Sequence, residues 1–410
     1  MGASYRLFGA ETSPFSIKVR SYLRYKKLPF EWVARGFGSD DEFRGLAQSE
    51  ALPMLVSPKG GIAHDSSLIL SRLEAANKKP PATPGDPACR ALSALIEDYA
   101  DEWLNKAMFQ YRWGTAKAAK AAAERQVNEF FAGYDLEGRK DVEKSTAKAM
   151  TGRLKVIGIS KKTVPVIEAS FERFLEKLNA HLEHHLFLFG GHPSLGDFAL
   201  AGQLIQLASD ERSRALIQDK APFVAAWCEF MEDPRPGADF DDFASVKETL
   251  LPLFRDEIMP TYVRFAEANA AAIAKKRKTV TFDTLDGEFK QSVQHHTLRS
   301  WEAVKAVFAD TRETEDLKAF LEAAGLGDIL ALKAADTQDK SESSETKPKT
   351  PAEESSSEAG VADTSAAPEE TAVVPDKPEG DSIATPSDSV SAPASTTDDT
   401  SASEDDDTKS

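Results

Sequence analysis

The chain changes material at Asp336. From there to Ser410 it has no Phe, Trp or Tyr, and it carries 20 acidic against 5 basic side chains. A stretch so poor in apolar surface cannot offset the entropy of ordering, so a disordered acidic tail is expected over 334–410. Its Ser and Thr residues beside acidic groups are candidates for phosphorylation, although solvation alone accounts for the composition. The formal charge of the whole chain is −17, from 67 acidic and 50 basic residues. The first 335 residues keep 47 acidic and 45 basic groups, close to neutral. Any fold must come from those residues.

That near-neutrality argues against nucleic acid as a partner of the folded part. No run of 18 apolar residues is present, so no membrane span is expected. The N-terminal sequence lacks a basic segment followed by an apolar one, so no signal peptide is expected. Cys89 and Cys228 are the two cysteines, too few for a disulfide framework and in no CxxC pair. A reducing, cytoplasmic setting follows as the expectation.

The first 80 residues alternate between periods. Ser4–Phe8 reads as a strand, and Ser13-Pro14 opens a helix with Phe15, Val19, Tyr22 and Leu23 on one face. Strands follow at 29–33, 52–56 and around Ile62-Ala63, and a helix starts near Ser66 with Leu68, Ile69 and Leu73 inward. The order is β-α-β, a loop or helix, then β-β-α. Lys78 to Pro87 holds four prolines and reads as a linker.

From Ala88 to about Phe243 the period is helical. The stripes are Leu92, Leu95, Ile96, Tyr99, Trp103 and Leu104; Phe171, Phe174, Leu175 and Leu178; and Val224, Trp227, Cys228 and Met231. Cys228 on a stripe reads as a buried structural thiol. Beyond residue 244, two helical runs flank a hairpin signalled by Asp286-Gly287. His181, His184 and His185, and His295-His296, read as polar helix faces rather than metal ligands.

Four short motifs carry chemistry. Thr12-Ser13-Pro14-Phe15 places a hydroxyl at a helix N-terminus, where the dipole and free N–H groups favour an anion. Ser before Pro is equally a plain N-cap. Leu52-Pro53 starts a strand, where proline is tolerated. His64-Asp65-Ser66-Ser67 puts an acid and hydroxyls ahead of a helix, and Ser66 reads as its N-cap. Ser194-Leu195-Gly196-Asp197 is a capping box.

With the β-α-β and β-β-α unit, the linker and the helices, these motifs resemble the cytosolic glutathione S-transferases over roughly the first 240 residues. The Ser-Pro-Phe segment is similar to that of the tau class; the omega class has a cysteine where Ser13 stands. The resemblance implies an α/β thioredoxin-like N-terminal domain and an all-α C-terminal domain, with a mostly helical extension and a disordered acidic tail. The expected boundaries are 1–80, 88–243, 244–333 and 334–410.

It also implies a glutathione transferase acting on a small hydrophobic electrophile, with glutathione as substrate, no metal, and a homodimer. Ser13 would stabilise the thiolate, Leu52 and Pro53 would position the cysteinyl unit, and Asp65 with Ser66 would hold the γ-glutamyl end. Lowering a free thiol from ~8.5 by two units takes about 2.7 kcal/mol, within reach of one hydroxyl hydrogen bond plus the dipole. Met108, Tyr111 and Trp113 are the candidates for the hydrophobic site. Tyr111, Arg112 and Trp113 are consecutive, so at ~100° per residue one of them is expected to face a cleft.

The tau-class basic residue for the glycyl carboxylate has only Arg44 as a counterpart between Gly38 and Glu50. That departure keeps a non-catalytic adaptor as the alternative, one that binds protein partners through extension and tail. A thiol-dependent reductase or isomerase on the same site is the third reading.

Overall fold

A computed structural model describes residues 4–333 apart from Gln48. The acidic tail expected over 334–410 lies outside the described residues.

The N-terminal unit runs β1 Tyr5–Gly9, α1 Pro14–Tyr25, β2 Phe30–Ala34, α2 Asp40–Leu46, β3 Met54–Val56, β4 Ile62–His64 and α3 Ser66–Ala76. Its four strands lie in the order β2-β1-β3-β4, with β1 parallel to β2 and the other pairs antiparallel. The segment that the sequence leaves as loop or helix is α2. Leu7 on β1 is buried beside Val19, Leu23 and Ile69 from α1 and α3, while Phe8 packs on the other face with Phe43 and Met54. This is the alternation that a two-sided sheet demands.

The helical part follows as α4 Pro87–Tyr99, α5 Asn105–Trp113, α6 Ala116–Phe130, α7 Arg139–Arg153, α8 Val164–Leu182, α9 Leu195–Ser209, α10 Glu211–Lys220 and α11 Pro222–Phe230. A π-helical stretch, Ala100–Leu104, joins α4 to α5. The last block contains α12 Phe243–Leu253, a second π-helical stretch Phe254–Val263, α13 Arg264–Ala274, hairpin strands β5 Thr279–Thr284 and β6 Gly287–Ser292, α14 His295–Asp310 and α15 Glu315–Ala323. The Asp286-Gly287 signal is the observed hairpin turn, with Thr284 opposite Gly287.

One apolar core runs through all three parts, from Leu7 and Val19 to Trp301 and Leu330. The helix that follows Ser13 lies deep within it. At Gly202 on α9 an added Cβ would sit 2.5 Å from the Pro14 carbonyl oxygen, so only glycine permits this approach of α9 to α1. Lys18 on α1 is 1 % exposed, and its Nζ meets Asp101 at 2.7 Å, Glu97 at 2.8 Å and Ser67 Oγ at 2.9 Å. Burial works against this ammonium, but Asp101 and Glu97 outweigh it and hold Lys18 charged. The Pro-rich linker is also pinned: Ala82 donates to Glu74 and accepts from the Leu195 amide, both at 3.0 Å.

The π-helical stretches tie the last block to the helical domain. Glu257 in the second stretch accepts from Tyr99 at 3.1 Å and from Arg173 at 2.9 Å. Burial pushes its carboxyl up to about 7, against the pull of Arg173. Glu102 in the first accepts from Thr297 at 2.6 Å and meets His296 at 2.9 Å. Cys89 and Cys228 are buried free thiols, and burial pushes both pKa values up.

Two histidine readings need correction. His184 and His295 are exposed, as a polar face requires. His181 is fully buried, because the turn after α8 and helix α12 close over it. Its Nε2 lies 3.1 Å from the Leu188 carbonyl, its Nδ1 is 2.9 Å from Thr249 Oγ1, and the His185 ring stacks at 4.7 Å. His296 is half-buried on Glu102 rather than free on a surface.

Burial lowers the His181 imidazole to about 3. The unfolded chain therefore binds the extra proton below pH 6.5, and stability present above that value is lost as pH falls toward 3. Between pH 6.5 and 5 the loss from this residue is about 1.5–2 kcal/mol. Urea unfolding at both pH values, with His181→Gln beside wild type, checks this. The variant should show the flatter dependence, and equal slopes would refute the assignment.

Candidate functional site

Strand register assembles the site. Phe8 pairs with Met54, and Met54 pairs with His64. The loop after β1 that carries Ser13, the Leu52–Pro53 step before β3, and Asp65 after β4 therefore lie at the same end of the sheet. Neighbouring strands stand about 4.8 Å apart. The cis Leu52–Pro53 bond belongs to this end.

Ser13 is the N-cap of α1 and accepts from the Ser16 amide at 3.3 Å. Its hydroxyl proton finds no acceptor among the described residues. Leu52 and Pro53 are both buried. Asp65, not Ser66, caps α3, accepting from the Leu68 amide at 3.1 Å. Ser66 is the first helical residue and is buried. Asp65 is exposed, with φ 72° and ψ 115°. A non-glycine residue held there costs about 1–3 kcal/mol, and such strain clusters at binding sites.

The helical domain grips the loop ahead of Ser13 by every available backbone group. Glu129 at the end of α6 accepts from the Glu11 amide, from the Thr12 amide at 3.3 Å and from the Thr12 hydroxyl at 3.0 Å. Gln206 on α9 donates to the Glu11 carbonyl at 2.8 Å, and Arg112 on α5 donates to the Thr12 carbonyl at 2.8 Å. Burial raises the Glu129 carboxyl, against the pull of the Glu11 and Thr12 donors. Phe37, after β2, stacks on Phe131 and meets Tyr134 edge-on, and its amide donates to the Phe130 carbonyl at 2.7 Å. Ser13 is left 1 % exposed.

Sequence reading missed Glu129, Gln206 and Arg112 as neighbours of this loop. They are 100 to 195 residues from the loop residues they bond, and no local pattern announces them. It also missed Arg35, which is buried between β2 and α2 and paired with Asp40 and Glu50 at 2.7 and 2.6 Å. Arg44 is exposed and bonds Asp40 at 2.8 Å.

The expectation that one of three consecutive residues faces a cleft is corrected. Met108, Tyr111 and Trp113 are 0, 5 and 1 % exposed. Arg112 between them is buried too, with Asp210 at 3.0 Å. Helix α5 is wrapped by α6, α8 and α9, so no face is left for a cleft. Among the described residues no group of three or more His, Cys, Asp or Glu is placed to hold a metal ion. None of the described helices is long and apolar enough to cross a membrane.

Comparison with known proteins gives two family matches. Residues 7–81 match the glutathione S-transferase N-terminal domain, and residues 120–230 match the glutathione S-transferase C-terminal domain. Over 126 residues the chain is 27% identical to a probable glutathione S-transferase, GSTU6, of Oryza sativa subsp. japonica. That stretch is 29% of this chain, which thus spans about half, 52%, of the curated relative's length.

Among solved structures it is similar to the β-etherase LigF from Sphingobium sp. strain SYK-6. The values are 18% identity, TM-score 0.41, 60% of this chain and 98% of that one. It is also similar to a glutathione S-transferase from Methylobacterium radiotolerans in complex with glutathione sulfonate. There the values are 25% identity, TM-score 0.35, and 56% and 91% of the two chains.

Proposed function

The chain belongs to the glutathione S-transferase-like family, and from that premise we propose that it binds glutathione at the Ser13 end of the sheet and transfers its thiolate to a small hydrophobic electrophile. The observation that carries this reading is the register Phe8–Met54–His64, which gathers Ser13, Leu52-Pro53 and Asp65-Ser66 at one end. The Ser13 oxygen is occupied by the Ser16 amide, so its proton is the group left to donate to a sulfur anion. The glutathione thiol gives up its proton to solvent water, and the sulfur lone pair forms the new C–S bond. A leaving group then departs, or the adduct takes up a proton. Asp65 is an exposed carboxylate for the γ-glutamyl ammonium, and the α3 N-terminus behind it suits the neighbouring carboxylate.

Calorimetric titration of glutathione into the full chain tests this, beside Asp65→Ala and Ser13→Ala. Asp65→Ala should abolish the binding heat. Ser13→Ala should retain binding but lose transfer to a model electrophile by about 10²–10³-fold. No heat at millimolar glutathione in folded protein would end this reading.

One observation favours the adaptor as a second reading. Ser13 is 1 % exposed, and the loop ahead of it is held by Glu129, Gln206 and Arg112. A fold used only as a scaffold gains from such rigidity, whereas an enzyme must admit its substrate. Under that reading glutathione leaves the melting temperature unchanged.

A further inference from the structure

Helices α6 and α7 pack side by side and leave between them a groove of about 580 Å³. Ala119 and Ala147 contribute to its apolar wall, and Lys120, Lys140, Lys144 and Lys148 line it as exposed cations. Glu124 and Glu143 also line it. Lys120 faces Glu124 at 3.7 Å, and Lys144 faces Asp141 at 2.9 Å. Lys140 and Lys148 make no ion pair among the described residues. From Ala116 to Lys162 the chain has 11 basic and 6 acidic side chains, although the first 335 residues as a whole are slightly acidic. The hairpin is thus a basic, lysine-rimmed trough on a molecule of the opposite net sign.

The sequence contains one segment of matching chemistry. Glu404-Asp405-Asp406-Asp407 is the longest uninterrupted acidic run in the chain. We propose that this run docks within the same molecule onto the groove between α6 and α7, pairing with Lys120, Lys140, Lys144 and Lys148.

Dimensions agree. Lys140, Lys144 and Lys148 follow one another at four-residue steps on α7, so their row is about 12 Å long. Four extended residues cover about 10 Å, with alternate side chains turned to opposite sides. Reach is no obstacle, because the 70 residues between Lys333 and Glu404 can span at most about 230 Å. Being on the same chain, the run meets the groove at an effective concentration independent of dilution. Each exposed pair is weak and screened beyond about 10 Å at 0.1 M salt, so the docked state is salt-sensitive. The inference does not rest on glutathione binding.

Zero-length carbodiimide cross-linking of the full chain, followed by peptide mapping, tests it. Links from Glu404–Asp407 should concentrate on Lys120, Lys140, Lys144 and Lys148. Their yield should not depend on protein concentration, and it should fall at least roughly fivefold in 0.5 M NaCl. The double variant Lys140→Glu, Lys148→Glu should lose these links while keeping the wild-type circular dichroism and melting temperature, since both side chains are exposed. Links spread evenly over lysines elsewhere on the surface would overturn the proposal. So would links that form only between two molecules, which would assign the groove to a second copy.

Discussion

Asp197→Ala lowers the free energy of unfolding by about 3–5 kcal/mol. The carboxylate is fully buried and accepts three hydrogen bonds. These come from the Ser194 amide at 2.8 Å, the Ser194 hydroxyl at 2.7 Å and the Leu188 amide at 3.0 Å. Ser194 in turn accepts from the Asp197 amide, which closes the capping box of α9. Removing the carboxylate strands two buried amides, each costing about 1–3 kcal/mol, and removes half of the cap. The disturbance spreads because α9 carries Gly202 against α1 and Gln206 against the Ser13 loop.

Burial already pushes the Asp197 carboxyl up to about 6. A neutral isostere is therefore tolerated better, and Asp197→Asn should cost about 1–2 kcal/mol. Denaturant midpoints of the three proteins provide the check. A cost below about 1 kcal/mol for the alanine variant would show that the surrounding donors find other partners.

Arg112→Ala is the second large effect, at about 3–5 kcal/mol. The guanidinium is 1 % exposed. It donates to Asp210 at 3.0 Å, to the Thr12 carbonyl at 2.8 Å and to the Gln206 side chain at 2.6 Å. Asp210 keeps Arg125 at 2.6 Å, but the Thr12 and Gln206 acceptors lose a buried donor. Lysine cannot replace the planar fork, so Arg112→Lys should recover less than half of the loss. Thr12 directly precedes Ser13, so the variant should also speed hydrogen exchange at Glu11, Thr12 and Ser13. Faster exchange throughout the chain, with no excess at this loop, would contradict a specific hold on the site.

The parts of this architecture that could be read from sequence are those whose determinants lie within a few residues. The Ser194–Asp197 box is specified by four residues, and the structure forms both of its bonds. Asp286-Gly287 sets its hairpin through the φ of 132° that glycine takes up there. The stripe from Leu92 to Leu104 is buried throughout because helical period alone selects an inward face.

The misreadings come from contacts between distant segments. Eight of the nine residues of α5 are buried, since neighbours cover the sides that a two-faced helix would expose. His181 is buried by Leu188 and Thr249, and Thr249 is 68 residues away. The π-helical stretch Ala100–Leu104 carries no distinctive residue pattern, and Pro260 marks only an interruption in Phe254–Val263, yet the first half-buries Glu102 and the second places Glu257 in the core. Glu129 in particular sits on an Ala-rich helix and belongs to no local motif. Its role at the Ser13 loop depends on how α6 is set against the N-terminal unit.

The burial of α1 also has a consequence for synthesis. Ten of its twelve residues are buried. Lys18 needs Glu97 and Asp101, Tyr22 and Tyr25 pack on Phe198, Ser21 bonds the Met231 carbonyl, and Arg24 bonds the Glu232 carbonyl at 2.7 Å. At about 5–20 residues per second, roughly 10–40 s pass on the ribosome between Tyr25 and Glu232. For that time a nascent chain holds its first helix without the surfaces that cover it. A ribosome paused before Glu232 presents Phe15, Val19 and Leu23 in an unfinished unit, a natural client for a holding chaperone.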